Sequence, residues 1–249
     1  MEENKHIRSF LDSVKIHVSA FGRFIHQPYL ACFCESPRIL SQWRSYGESG
    51  KGYCIGLKFS EKTKILADLE NPEKKYDLYL RKVIYSEEKQ NFLVNTFLDE
   101  SANCLSSILK NSGFDDRKKN QFSTSIAAAL NNILIDMILC FKHEAFKEEK
   151  EWRLIRVLLD YEEPETVRFR EKESVLIPYL KTNIIEYLEK KEEMSFPISS
   201  LFFGPSLDKN VTESALRIFL FNQSKSDSKI LIKNPGRIKI DGMGYTLRS

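Results

Sequence analysis

Residues 31–59, ACFCESPRILSQWRSYGESGKGYCIGLKF, hold a strand-like run, a short helix signal, a glycine-rich turn and a second strand-like run in quick succession. Ser36 followed by Pro37 predicts a helix start, because the hydroxyl can cap open amides and proline costs nothing in a first turn. Ile39, Leu40 and Trp43 give that helix an inner face, and Gly47 is its expected C-cap. GESGKG (47–52) supplies a turn with wide backbone freedom, and YCIGLKF (53–59) alternates as a strand does. Just upstream, YLACFC (29–34) is too short for a buried helix and reads as a buried strand closed by Ser-Pro. Strand, helix and strand at this spacing point to a fold that mixes both.

The flanking sequence fits the same plan. Residues 2–26 place Ile7, Phe10, Leu11, Val14, Val18, Phe21, Phe24 and Ile25 at three-to-four spacing, which predicts an amphipathic helix that Pro28 stops. Residues 61–79 are mixed and polar, and LRKVIYS (80–86) is a strand candidate. From 87 to 146 the pattern is helical, with one helix over 87–111, ended by NSG, and another over 116–141. Strand signals then return: EWRLIRVLL (151–159), TVRFRE (166–171), SVLIPYL (174–180), ISSLFFGPS (198–206), KILIK (229–233) and RIKID (237–241), with TESALRIFLFNQ (212–223) as a helix among them. The expected architecture is α+β, a single domain over 1–249 with a mixed or antiparallel sheet core, an N-terminal helix in 1–28 and a central helical insertion at 87–146.

Composition sets the outer bounds. The chain has 249 residues, 42% hydrophobic and 29% charged, an ordinary balance for a packed core. A net charge of +3 does not by itself select nucleic acid as a partner. No apolar run reaches membrane-spanning length, and the first residues lack a signal peptide's apolar stretch, so a cytoplasmic location without membrane contact is expected. Five cysteines read as reduced thiols rather than a disulfide framework.

Few motifs carry chemistry. His6, His17, His26 and His143 are scattered and Cys32-x-Cys34 lacks zinc spacing, so no metal is expected. There is no G-x-S-x-G elbow, and GESGKG matches neither phosphate-loop nor dinucleotide patterns. In FKEEKEWRLI, Glu149 and Glu151 stand two apart where a loop enters a strand. Carboxylates so placed share a side and repel unless solvent, a cation or a cationic substrate lies between them. They could stabilise a cationic sugar transition state or bond ribose hydroxyls; equally, KEEKE could be a solvated charge run with Arg153 as its ion-pair partner. Arg44 beside Trp43 suits recognition of phosphate or carboxylate with stacking, or a surface role at the sheet edge. Cys32 and Cys34 share a strand face, where plain packing is the ordinary use.

Taken together these blocks resemble the DUF2971 family of bacterial proteins. CFCESPRILSQWRSYGESGKGYCIGL is similar to its S-F-S-E, W-x-x-Y, G-x-x-I-G-F signature. KHEAFKEEKEWRLI resembles its K-h-x-x-F-x-x-E-x-E-W-R-l segment. LIPYL, LFFGPSLD and MGYTLR resemble later blocks, so the resemblance spans about residues 29–249. The family in turn is similar to ADP-ribosyltransferases of the DarT and toxin type. That resemblance implies an ADP-ribosyltransferase-like fold and NAD as a substrate. CFC would be the strand motif near the cofactor, FKHEAFK the recognition loop, and Glu149-x-Glu151 the catalytic glutamates. Cys32, Cys34, Trp43, Arg44 and Tyr46 would help bind the cofactor or target, with a core-plug role open to Trp43 and Tyr46. The implied role is a toxin or phage-defence effector acting on nucleic acid or protein. Two departures set the alternative, a non-catalytic binding or regulatory module: cysteines replace the serines of S-F-S-E, and the family's first strand is missing before residue 29, to be supplied if at all by a partner chain.

Overall fold

A computed structural model of the chain describes residues 2–20, 26–61, 63–66, 79–159, 167–187, 194–224, 230–231 and 235–243. In chain order the elements are α1 (Glu2–Ala20), β1 (His26–Cys34), α2 (Leu40–Ser45), β2 (Tyr53–Leu57), β3 (Thr63–Leu66), β4 (Tyr79–Lys82), α3 (Glu87–Asn111), α4 (Asp116–Ile138), β5 (Glu151–Leu159), β6 (Val167–Lys172), β7 (Val175–Leu180), β8 (Asn183–Tyr187), β9 (Met194–Ser195), β10 (Ile198–Phe203), α5 (Lys209–Ser224), β11 (Ile230–Leu231) and β12 (Lys239–Gly242). The fold is α+β with mixed and antiparallel sheets, as the sequence pattern implied.

The chain gathers into two compact units, Met1–Phe33 with Leu78–Pro164, and Cys34–Asp77 with Glu165–Ser249. In the first, α1, α3 and α4 bury Phe10, Val14, Leu105, Leu109, Ala127 and Leu134 in one apolar cluster. Ser86 caps α3 by accepting from the Lys89 amide, and Asp115 caps α4 by accepting from the Lys118 amide, so both helices start where their side chains can satisfy open N–H groups. His6, buried on α1, reaches Asn120 on α4 through Nδ1 at 2.7 Å. Beside the helices lies a three-stranded sheet in the order β1-β5-β4, with β4 and β5 antiparallel.

In the second unit, β10 pairs with β12 in parallel and with β2 antiparallel. One face of that sheet buries Leu201, Phe203 and Ile240 against Leu220 of α5 and Ile238. A four-stranded sheet runs β11-β9-β8-β3, and β6 and β7 form a hairpin.

The structure corrects some boundaries. The N-terminal helix ends at Ala20, and His26–Pro28 already belong to β1; residues 21–25 lie outside the described set. Pro28 therefore sits in an edge strand, where its missing N–H is tolerated and the residue before it is driven extended. The short helix begins at Leu40, not at Ser36. The Ser36 hydroxyl instead accepts from the Arg38 amide in a tight turn. Its C-cap is Tyr46, and Gly47 is needed for space: a Cβ there would lie 2.8 Å from the Trp43 ring. Helix α4 stops at Ile138, short of 141. Much of 61–79 and of the KILIK and MGYTLR stretches lies outside the described residues.

Candidate functional site

The first unit builds a charged cluster from the turn between α4 and β5. After α4 the chain runs back past β4, with the Ile84 amide donating to the Cys140 carbonyl at 2.8 Å and the Lys142 amide to the Ile84 carbonyl at 3.2 Å. Gln90 of α3 clamps this crossing, its side-chain amide donating to the Ile84 carbonyl at 2.6 Å and the Lys142 carbonyl at 3.0 Å. His143 then opens a 3-10 turn, Glu144–Glu149, by accepting from the Ala145 amide. Lys150, left-handed with φ 44, redirects the chain into β5. Glu149 thus ends the turn and Glu151 begins the strand, and both carboxylates swing to one ammonium. Lys142 Nζ donates to Glu149 Oε2 at 2.5 Å and to Glu151 Oε2 at 2.8 Å.

Of the groups that could lie between the two carboxylates, a cation is therefore built into the chain. Lys142 was not singled out by the sequence reading, although it lies in the KHEAFKEEKEWRLI stretch. The Phe146 ring lies 4.9 Å from its ammonium and shields it from one side. Burial would lower the Lys142 pKa, but its bonds to Glu149 and Glu151 outweigh that and raise it.

Glu151 is the centre of the cluster. Its side chain is 5% exposed. Arg153 Nε donates to Glu151 Oε1 at 2.8 Å, and the same guanidinium donates through Nη1 to the Leu139 and Phe141 carbonyls at 2.5 and 3.4 Å. The Glu151 amide donates to the Tyr85 hydroxyl at 2.9 Å. The Cys32 thiol of β1, the strand next to β5, lies near enough to the Glu151 carboxylate to interact with it. Burial alone would raise the acid's pKa, but Arg153, Cys32 and Lys142 together bring it down to about 2. In return, desolvation of the Cys32 thiol, together with its interaction with the Glu151 negative charge, pushes Cys32 up to about 11. Two carboxylates and two cations make the cluster charge-balanced, the condition under which buried ions are tolerated.

The remaining expected site residues lie in the second unit. Cys34 donates to the Ser36 carbonyl at 3.3 Å. Trp43 is buried, at 3% exposure, and its indole N–H donates to the Pro37 carbonyl at 2.7 Å, so it plugs the turn from below. Arg44 is exposed on α2, and Tyr46 is 77% exposed at its end. The glycine turn that follows is left-handed at Glu48, Ser49 and Gly50 and is stapled to the segment after β10: the Gly204 amide donates to the Gly52 carbonyl and the Ser206 amide to the Gly50 carbonyl, each at 3.0 Å. A Cβ on Gly204 would lie 2.0 Å from the Gly50 oxygen, so no other residue fits there without moving backbone.

Among the described residues no three His, Cys, Asp or Glu side chains come together as metal ligands, and no helix is long and apolar enough to cross a membrane. No curated protein and no solved structure matches the chain. A family model described as a protein of unknown function, DUF2971, matches residues 42–154. The match takes in Trp43, Arg44, Tyr46, Lys142, both glutamates and Arg153, and leaves out CFC and the later blocks of the wider resemblance. The segment that carries both glutamates thus lies within the matched region.

Proposed function

We propose that the chain is an NAD+-dependent ADP-ribosyltransferase-like protein in which Glu151, with Glu149 beside it, faces the nicotinamide ribose. The observation that carries the reading is that β1 and β5 are neighbouring strands of one sheet, with the Cys32 thiol of the first and the Glu151 carboxylate of the second near enough to shift each other's pKa. This joins the CFC strand and the E-x-E segment, the two motifs such a site would need side by side. In the proposed reaction the bond between the ribose C1′ and the nicotinamide nitrogen breaks. Its electron pair leaves with neutral nicotinamide, and positive charge develops at C1′ and the ring oxygen. An oxygen or nitrogen nucleophile on nucleic acid or protein forms the new bond at C1′ and loses its proton to water.

A carboxylate held at about 2 stays negative throughout. It would act as a fixed electrostatic partner for the developing cation and an acceptor for a ribose hydroxyl, not as a general base near neutral pH. Lys142 and Arg153 would position it. Modification of a nucleic acid or protein target in this way suits a toxin or phage-defence effector.

A second reading, a non-catalytic binding or regulatory module, has its own observation. Both Glu151 oxygens already accept from Arg153 and Lys142, and the side chain is 5% exposed. A substrate would have to displace one of the chain's own donors to reach it.

Nicotinamide release from NAD+ by wild type, Glu151→Gln and Glu149→Gln separates the two. The transferase reading expects the glutamine variant at the reacting position to lose about 10²–10³-fold, the scale of one removed electrostatic stabiliser. Saturable NAD+ binding without release would favour the module. Equal release by all three proteins would overturn the assignment of these glutamates.

A further inference from the structure

The β6–β7 hairpin lies in the second unit and pairs with no other strand among the described residues. Its register, Arg168 opposite Tyr179, Arg170 opposite Ile177 and Lys172 opposite Val175, puts all three cations on one face. All three are exposed, and no ion pair among the described residues engages them. The opposite face carries Val167, Phe169 and Glu171 against Leu180, Pro178 and Leu176. Phe169 and Leu176 are 59% and 66% exposed, so the ribbon is open on both sides. The turn between the strands is two residues, Glu173 and Ser174, with φ 52 and 63, a left-handed pair whose twist matches that of the strands it joins.

We propose that this ribbon binds the phosphodiester backbone of a nucleic acid through Arg168, Arg170 and Lys172. Alternate residues of an antiparallel strand recur at about 6.8 Å. That is about two axial phosphate steps of one DNA strand, at ~3.4 Å each. A two-stranded ribbon also fits the major groove, which is ~12 Å wide. Tyr179, Ile177 and Val175 line the row of cations and restrain their stems. The apolar face is a poorer surface for a membrane or a dry protein contact, because the Glu171 carboxylate stands between Phe169 and the strand end, opposite Leu176. The sequence showed three basic residues within TVRFRE and the residues after it, but not that the register would leave their face uncovered. The inference stands apart from the NAD+ reading: it concerns other residues and is tested without NAD+, so either can fail alone.

The test is binding of a fluorescein-labelled 20-base-pair duplex, and of the matching single strand, as a function of salt. The probes are titrated with wild type, with Arg168→Gln/Arg170→Gln/Lys172→Gln, with Arg168→Lys/Arg170→Lys, and with the opposite-face control Phe169→Ser/Leu176→Ser. Three phosphate contacts give a slope of log affinity against log salt of about −2.7 on duplex and about −2 on a single strand. Between 50 and 200 mM salt, wild-type affinity for duplex should therefore fall by about 40-fold more than that of the glutamine variant. The lysine variant should keep the wild-type slope, and the opposite-face variant should bind as wild type does. Matching thermal melts show that the hairpin changes leave the fold intact. Equal slopes for wild type and the glutamine variant would overturn the proposal. So would binding to phosphatidylglycerol vesicles but to neither nucleic acid, or loss of binding only in the opposite-face variant.

Discussion

Replacing Glu151 by glutamine removes the one negative group that Arg153, Lys142 and Cys32 all address, and its cost should depend on pH in a calculable way. The carboxyl pKa is about 2 in the folded chain against an ordinary value of 4.5. A depressed folded pKa means that the stabilisation is complete above about pH 4.5 and drains away as pH falls toward 2. A difference of roughly 2.5 units corresponds to about 3 kcal/mol at pH 7. At pH 3 the unfolded chain is mostly protonated at this position while the folded one is mostly ionised, so about 2 kcal/mol of that has gone. Other carboxylates titrate over the same range, so the quantity to follow is the gap between wild type and Glu151→Gln. Urea unfolding monitored by circular dichroism at pH 7 and pH 3 should show that gap shrinking by about 2 kcal/mol. A gap that does not change with pH would mean that Glu151 is not held ionised by the cluster, and the electrostatic account of the site would fall with it.

Three further outcomes follow from the same geometry. Lys142→Met leaves Glu149 and Glu151 facing each other without their cation and should destabilise the chain by about 3–5 kcal/mol in urea melts, with Lys142→Arg recovering a good part of it. Cys32 is exposed as a residue, yet its thiol is pushed up to about 11; iodoacetamide labelling read by mass spectrometry should be slow at pH 8, rise toward pH 11, and speed up in Glu151→Gln. A profile for Cys32 that levels off near pH 8.5 would count against its burial and its interaction with Glu151. Gly204→Ala forces a methyl into the Gly50 carbonyl and should cost more than about 2 kcal/mol, because the obstructing atoms are backbone; a neutral substitution would show that the stapled turns can part freely.

Local signals were readable where a chemical cue coincided with periodicity. Helix α3 runs Glu87–Asn111 as the pattern indicated, because Ser86 caps it and the NSG stretch ends it. Strand β5 runs over EWRLIRVLL for the same kind of reason, a β-branched apolar run behind a charged turn. At α1 the apolar spacing continues through Phe21, Phe24 and Ile25 and concealed the entry into β1. Strands β3, β8 and β9 are short and partly polar, and they exist through pairings between distant segments, such as Thr63 with Glu186, that no local window contains. The site divides likewise. The spacing of Glu149 and Glu151 was visible and called for solvent, a cation or a cationic substrate between them. Which cation depends on how the chain leaves α4 and on Gln90, 52 residues from the carbonyl it holds. The approach of Cys32 to Glu151, through the pairing of β1 with β5, is a product of tertiary structure in the same sense. Trp43 beside Arg44 suggested stacking, yet its indole is spent on the Pro37 carbonyl because the turn preceding α2 folds over it.

The measurement that bears most directly on the function is a calorimetric titration of NAD+ into the purified chain and into Glu151→Gln, in neutral buffer where both are folded. If Glu151 receives the nicotinamide ribose, wild type should show saturable one-to-one binding that weakens by at least tenfold in the variant, a difference of about 1.4 kcal/mol. No heat from wild type at millimolar NAD+, or identical isotherms for the two proteins, would leave the glutamate cluster as a buried ion network that holds β1, β5 and the turn after α4 together, and nothing more.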